Sequence, residues 1–163
     1  MSRLILPLLV FAVVLNGCAA VTGLRSPGES VDAALRRFRR PVDGRIVSGF
    51  GGRGDRQHKG VDMSAPEGTP VCAAESGFVF YAGDKWKGYG NAVALDHGGT
   101  ITSLYGHLRE IHVKSGDAVP AGAMIGTVGK TGNATTPHLH FEIRVGDGAV
   151  DPREYIKELE PTR

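Results

Sequence analysis

The sequence predicts a mostly β domain in which short, glycine-rich strands form an antiparallel sheet or sandwich. From Arg45 onward, runs of β-branched and aromatic residues alternate with turn residues, and no β-α-β alternation is present. The 163 residues include 24 glycines, which favour tight turns over long straight elements. Helical patterns in the folded part occur only near its two ends, so one short N-terminal and one short C-terminal helix are expected.

Five runs carry the strongest strand signals, because each combines β-forming residues with flanking turn residues. They are Phe78–Tyr81, Ala92–Leu95, Ile101–Tyr105, Met124–Val128 and Leu139–Val145. Two further segments resemble each other, since Glu67–Val71 and Ser115–Val119 each place a glycine turn before a strand. The strands that follow are centred on Gly77 and Gly122. This similarity indicates a duplicated β motif.

The two short helices are predicted from their capping residues. Ser30 is a typical N-cap, and Pro41 is placed to stop the helix that follows. The apolar residues at helical spacing between them are Val31, Ala34, Leu35 and Phe38. Near the other end, Asp151 is a typical N-cap, and Pro152 suits the first position of a helix that reaches Leu159.

The start of the chain has the pattern of a bacterial lipoprotein signal. Arg3 supplies a positive charge, and the apolar run Leu4–Leu15 is shorter than the roughly 20 residues of a membrane span. Leu15-Asn16-Gly17-Cys18 resembles a lipobox, which implies lipid on Cys18 and attachment to a membrane. Ala19 after the cysteine favours the outer membrane, facing the periplasm. A plain secretory signal or an uncleaved anchor is the alternative.

The expected organisation is a signal peptide over 1–17, a lipidated tether with a short helix over 18–43, and one domain over 44–163. Without the signal the formal charge is +1, because one of the 19 basic residues lies in it and all 17 acidic residues lie outside. This balance gives no electrostatic case for binding nucleic acid. Cys72 lies in an apolar run and is expected to be a small buried hydrophobe.

Histidines and an aspartate in two separated clusters predict one metal centre. On a strand, His138 and His140 project into the same cleft, with the residues between and after them turned to the core. His58 and Asp62 would lie about 13 Å apart in an extended chain, too far to share an ion whose bonds are near 2 Å. The chain must therefore fold back there, and Gly60 is the residue that permits it.

Catalytic zinc takes three nitrogen or oxygen ligands and leaves one position for a water that becomes the nucleophile. Five residues compete for the three places, and spacing alone does not choose among His58, Asp62, His107, His138 and His140. His97 closes a hairpin and is expected to be structural, and His112 is expected at the surface.

Three ordered motifs run from about Gly44 to Asp151. The motifs are Ser48-Gly49-Phe50-Gly51 with Arg53-Gly54 and His58-Lys59-Gly60-Val61-Asp62, then Tyr105-Gly106-His107-Leu108, then Pro137-His138-Leu139-His140-Phe141-Glu142. In residue type and order they resemble those of the lysostaphin-type, or LytM-domain, zinc peptidases. Thr136 stands where that family commonly has glycine, and a local change at the rim of the cleft is expected.

The resemblance implies that His58, Asp62 and His140 hold one zinc ion per chain. His107 and His138 become a catalytic pair that acts on the attacking water and stabilises the oxyanion. The implied activity is hydrolysis of peptide cross-links in bacterial peptidoglycan, with its stem peptides as substrate. The alternative is a non-hydrolytic LytM-type regulator that binds and activates cell-wall amidases, with a partner in cell division. Such regulators lack part of the five-residue set, which is complete here.

Other residues are expected near the same site. Tyr81, Trp86 and Tyr89 are candidates to line the substrate groove, although aromatic residues beside a turn are as often packing residues. Asn91 and Glu142 are candidates to orient the metal ligands by hydrogen bonds.

Overall fold

The computed structural model describes residues 29–53 and 56–156. The predicted signal peptide, Cys18 and the end of the predicted C-terminal helix lie outside this part of the chain. Within it, no helix is both long and apolar enough to cross a membrane.

Strands make up most of the described residues. One helix, α1 (Val31–Leu35), precedes them, and a short 3-10 helix (Pro152–Glu154) follows. The strands are β1 (Arg45–Ser48), β2 (Gly51–Arg53), β3 (Arg56–His58), β4 (Val61–Ser64), β5 (Pro70–Cys72), β6 (Gly77–Gly83), β7 (Asn91–Asp96), β8 (Ile101–Ile111), β9 (Ala118–Val119), β10 (Met124–Val128), β11 (Leu139–Val145) and β12 (Gly148–Val150).

Ten of these strands form one antiparallel sheet in the order β1-β4-β11-β8-β7-β6-β9, with β10, β5 and β12 attached to its side. Strands β2 and β3 form a separate hairpin. The predicted mostly β, antiparallel class is confirmed, and all five predicted strand runs are present. The strands that were not predicted have two to four residues, too short for a periodic pattern to appear.

The core lies on one face of the sheet. Leu139 and Phe141 are fully buried, as predicted, and the ring of Phe141 packs 5.2 Å from that of Tyr105 on the neighbouring strand. Because side chains alternate along a strand, His140 between them projects from the opposite face. That face is where the candidate site forms.

Helix α1 packs its apolar residues against the same core, and Ala34, Leu35 and Phe38 are buried. The side chain of Ser30 accepts a hydrogen bond from the Ala33 N–H, which confirms the predicted N-cap. The helix ends at Leu35, well before Pro41. It ends early because the backbone turns to other partners, and the Arg39 N–H donates to the carbonyl of Ala74.

The duplicated motif is visible in the backbone hydrogen bonds. Gly68 and Thr69 exchange two bonds with Val128, and Gly116 and Asp117 exchange the same two bonds with Val79. Both glycines have positive φ angles, of 87° and 94°. The prediction of strand-centred glycines is wrong, because Gly77 begins β6 and Gly122 lies in a turn with a φ of 83°.

Two further predictions need correction. Cys72 is partly exposed, because strand alternation gives the buried position on β5 to Val71. Asp151 caps its helix as predicted, but the described helix is a 3-10 turn that ends at Glu154. The chain turns there and buries Ile156 completely in the core.

Candidate metal centre

Strand register places two of the five candidate residues side by side. His140 on β11 lies directly opposite Asp62 on β4 and, on its other side, opposite Gly106 on β8. His107 follows Gly106, and a register shift with a left-handed backbone at His107 turns its ring toward His140, 5.8 Å away between centroids. Three adjacent strands therefore bring Asp62, His140 and His107 to one face of the sheet. Long-range pairing of this kind cannot be derived from local sequence.

His58 reaches this face from the β2–β3 hairpin through the turn at Lys59 and Gly60. The chain does fold back at Gly60, as predicted, but not through a positive φ angle. A Cβ atom at Gly60 would collide with the Phe141 carbonyl oxygen. Glycine is therefore required for the close approach of the turn to β11.

Three ligand-type atoms converge on one point. The Oδ1 atom of Asp62 lies 3.0 Å from His58 Nε2 and 2.8 Å from His140 Nδ1, and the two nitrogens are 3.1 Å apart. A tetrahedral ion with bonds of about 2.0–2.1 Å needs ligand atoms roughly 3.3 Å apart. The three side chains therefore fit a single small cation, and together they form a group able to hold a metal ion.

Hydrogen bonds to the other ring nitrogens fix the tautomers. His58 Nδ1 lies 2.6 Å from the Gly49 carbonyl oxygen, which can only accept, so Nδ1–H donates and Nε2 keeps its lone pair. His140 Nε2–H donates over 3.0 Å to Glu142 Oε1, which leaves a lone pair on Nδ1. Both lone pairs point at Asp62 Oδ1, so the three atoms favour a positive charge between them.

The pKa of His140 reflects this arrangement. Burial acts to lower the pKa, but the hydrogen bonds to Asp62 and Glu142 outweigh burial, and the pKa is raised. Positive charge is therefore stabilised at this point of the structure.

Glu142 supports His140 from behind. Its side chain is fully buried and accepts hydrogen bonds from His140, from the Tyr89 hydroxyl at 2.7 Å and from the Arg144 guanidinium at 3.2 Å. Burial acts to raise the pKa of Glu142, but the bonds from His140 and Tyr89 outweigh it and the pKa is lowered. Glu142 therefore stays ionised. The contact to Tyr89 was not predictable, because 53 residues separate the two.

His107 and His138 face each other across the same groove, with ring centroids 4.7 Å apart. Their Nδ1 atoms lie 2.8 Å from the carbonyl oxygens of Thr131 and Thr136, respectively. Each Nδ1–H therefore donates, and each Nε2 presents a lone pair. His138 Nε2 lies 3.8 Å from Asp62 Oδ1, next to the metal-type cluster.

His107 has an unusual backbone. Its φ angle is +63°, at a register shift between β7 and β8, and its N–H donates over 2.7 Å to the Tyr89 carbonyl. Such a φ is rare for a residue other than glycine and often marks a functional position. Burial, with a smaller contribution from the neighbouring His138, lowers the pKa of His107 to about 4, so the His107 ring is neutral at neutral pH.

The five residues line one open groove of about 540 Å³. Of the three predicted aromatic residues, only Tyr89 lines it. Tyr81 and Trp86 stack on each other instead, with ring centroids 3.8 Å apart. Asn91 is not among the residues that line the groove, and its side-chain amide donates to the Arg109 carbonyl.

Comparison with known proteins is consistent with this geometry. Residues 56–152 match the family described as Peptidase family M23. The chain belongs to this family. The catalytic domain of the antimicrobial peptidase lysostaphin from Staphylococcus simulans is 38% identical, with a TM-score of 0.65 over 69% of this chain and 92% of that chain. A zinc-containing peptidase from Vibrio cholerae is 32% identical, with a TM-score of 0.68 over 79% of this chain and 41% of that chain. The predicted resemblance to lysostaphin-type peptidases is confirmed.

Curated relatives carry different names. An uncharacterized lipoprotein, YgeR, from Escherichia coli is 38% identical over 71% of this chain and 45% of its own length. The murein hydrolase activator NlpD from Salmonella dublin is 33% identical over 91% of this chain and 39% of its own. The DD-carboxypeptidase/endopeptidase Mpg from Neisseria meningitidis is 44% identical over 60% of this chain and 22% of its own length. The chain spans less than half the length of each of these relatives.

Proposed function

We propose that this chain is a zinc-dependent endopeptidase that hydrolyses peptide cross-links of bacterial peptidoglycan. The observation that carries the proposal is the convergence of three ligand-type atoms, His58 Nε2, Asp62 Oδ1 and His140 Nδ1, which lie within 3.1 Å of one another. Two further histidines, His107 and His138, lie in the same groove with Nδ1–H bonded to backbone carbonyls, which leaves Nε2 of each ring for proton transfer.

In this proposal His58, Asp62 and His140 hold one zinc ion. When bound, the ion supplies Lewis acidity, which makes a water molecule acidic enough to attack a carbonyl at neutral pH. Glu142 keeps His140 in the tautomer that offers Nδ1, and the Gly49 carbonyl does the same for Nε2 of His58.

His107 and His138 then move the protons. Each neutral ring can accept a proton at Nε2 from the attacking water and deliver it to the amine nitrogen of the broken peptide bond. An imidazolium formed in this way donates from the same Nε2 to the oxyanion. The carbonyls of Thr131 and Thr136 hold the two rings in place throughout.

The second candidate function is a regulator that binds and activates cell-wall hydrolases. The similarity to the murein hydrolase activator NlpD, which extends over 91% of this chain, favours it. The complete set of ligands and catalytic histidines favours the enzyme, because a regulator has no need of them.

Muropeptide analysis separates the two candidates. Purified cross-linked peptidoglycan is incubated with the zinc-loaded chain, and the products are separated by liquid chromatography and identified by mass. The enzyme converts dimers into monomers without an added amidase, and His138→Ala abolishes the conversion. Intact dimers after prolonged incubation, together with stimulation of a separate amidase, would establish the regulator instead.

We also propose that Cys18 carries lipid and anchors the domain over residues 44–163 to the outer membrane, facing the periplasm. The lipobox-like sequence and the lipoprotein name of one relative support this proposal. Metabolic labelling with a fatty-acid probe should mark the full chain and leave Cys18→Ser unlabelled. Equal labelling of both would contradict it.

A further inference from the structure

The groove has a basic rim, formed by Lys59 and Lys87. Both side chains are exposed and line the groove. The acidic residues in the described lining are Asp62 and Glu142, which are buried and already hydrogen-bonded to histidines. The accessible charge at the described mouth of the groove is therefore positive.

The two lysines stand on opposite sides of the metal-type cluster. Lys59 directly follows His58 and lies beside β4, whereas Lys87 lies in the loop between β6 and β7. In the sheet order β4-β11-β8-β7-β6, the strands that carry His140 and His107 lie between these two positions. A substrate chain that crosses the groove at His140 therefore meets one lysine on each side of the bond to be broken.

The position of Lys87 is fixed by the neighbouring backbone. The Asn133 N–H donates over 2.9 Å to the Gly88 carbonyl, which joins the Lys87 loop to the loop before β11. Among the described residues, neither Lys59 nor Lys87 forms an ion pair. Both ammonium groups are therefore available to a ligand.

We propose that the basic rim selects substrate peptides that carry free carboxylates on both sides of the scissile bond. This inference rests on the proposed peptidase function and specifies its substrate class. Exposed ion pairs each favour binding by a factor of about 1.4 to 5, and because the factors multiply, two pairs of about threefold each give a preference of about tenfold. Such a preference weakens as salt screens the charges.

The test compares two forms of one substrate. Cross-linked muropeptide dimers are used with their carboxyl groups either free or converted to amides with a carbodiimide and ammonia. For the zinc-loaded wild-type chain, we expect kcat/KM to be about tenfold higher for the free form in low salt. The ratio of kcat/KM for the free form to kcat/KM for the amidated form should approach one when sodium chloride is raised from about 0.02 M to about 0.5 M.

Variants locate the preference. In the double variant Lys59→Gln/Lys87→Gln the ratio should fall close to one, and in Lys59→Arg/Lys87→Arg it should persist because the charge is kept. Lys114→Gln is the matched control, since Lys114 is exposed and does not line the groove. Its ratio should equal that of the wild type. Equal rates on both substrates for the wild type, or a preference that survives in the glutamine double variant, would overturn the inference.

Failure of the peptidase function gives a different result, in which neither form is cleaved by any variant. Calorimetric binding of the two dimers to zinc-loaded His138→Ala then decides. If His138→Ala binds the free form more tightly, and this difference disappears when Lys59→Gln and Lys87→Gln are added to it, the selective role of the basic rim is supported. Equal binding of the two forms rejects it.

Discussion

Two histidine clusters lie along strand β8, one beside Ser103 and the other beside Gly106. In each, a ring Nδ1–H donates to a backbone carbonyl, but the groups that face Nε2 differ. His97 Nδ1–H donates over 2.8 Å to the Ser76 carbonyl, as His58 Nδ1–H does to Gly49 at 2.6 Å. His97 Nε2 then accepts from the Ser103 hydroxyl at 2.8 Å, so both of its nitrogens are satisfied. His58 Nε2 instead faces two other acceptors, Asp62 Oδ1 and His140 Nδ1.

The difference separates a structural histidine from one that we propose binds the metal. His97 is 2% exposed, against 9% for His58, so burial alone does not explain their roles. What differs is the group that faces the second nitrogen, which is the Ser103 hydroxyl for His97 and a carboxylate with a second imidazole for His58. A cluster in which a carboxylate and two imidazole nitrogens face one another favours a positive charge between them, whereas the hydrogen-bonded His97 contributes to stability as it stands.

The largest expected effect comes from His140→Ala, which removes both a ligand and the donor to Glu142. We expect the variant to lose bound zinc and to lose activity by about a thousandfold or more. Metal content by mass spectrometry after dialysis and dimer cleavage are the measurements. The matched variant His97→Ala should keep about one zinc per chain. If His140→Ala retained zinc as well, the distinction between the clusters would be wrong.

Replacing His107 tests the proton-transfer role apart from metal binding. His107→Ala should keep its zinc, because its ring is held by Thr131 and is not one of the three converging groups. Turnover should fall by about 10²- to 10⁴-fold. His112→Ala, at an exposed position, is the control and should match the wild type. A wild-type rate in His107→Ala would exclude it from the catalytic pair.

Glu142→Gln should weaken zinc binding without removing it. The amide is a poorer acceptor for His140 Nε2–H, and such changes typically cost a factor of about 10–100 in metal affinity. Competition with a chromophoric chelator measures the constant. Tyr89→Phe, which keeps the carboxylate and removes one donor to it, should have a smaller effect. Unchanged affinity in Glu142→Gln would show that His140 needs no such support.

Changes in the His97 cluster should alter the free energy of unfolding and leave zinc binding unchanged. Ser103→Ala leaves His97 Nε2 buried without a donor, and we expect unfolding to become easier by about 1–3 kcal/mol. Zinc content should not change. Thr102→Val, at the adjacent partly exposed position, should stay within about 0.5 kcal/mol in urea unfolding. A loss of zinc in Ser103→Ala would mean that the clusters are coupled.

The smallest effect is a pH dependence. Burial lowers the pKa of His97, and the hydrogen bond to Ser76 and nearby carboxylates do not compensate. The unfolded chain therefore binds a proton more readily than the folded one, and stability should fall as pH drops below about 6.5. Urea midpoints of the metal-free chain, compared with those of His97→Gln, isolate this contribution. The variant should show the shallower decline, and equal slopes would contradict the assignment.

Much of the fold and of the candidate site could be predicted from sequence, because the informative signals were local. Strand alternation placed His138 and His140 on one face, and glycine-bounded runs located the long strands. Features that depend on long-range contacts could not be predicted from sequence. The left-handed backbone of His107 and the need for glycine at Gly60 depend on contacts with Tyr89 and Phe141, far along the chain. The prediction that Cys72 is buried was wrong because its apolar neighbours gave no indication of which side of a short strand faces the core.

The most direct test of the account is an anomalous difference map at the zinc absorption edge, from crystals of the chain grown with zinc. We expect one peak, about 2.0–2.2 Å from His58 Nε2, Asp62 Oδ1 and His140 Nδ1, and no peak beside His97. A peak held by His107 and His138 instead, or none at the three converging atoms, would contradict the central claim that these three atoms form the metal centre.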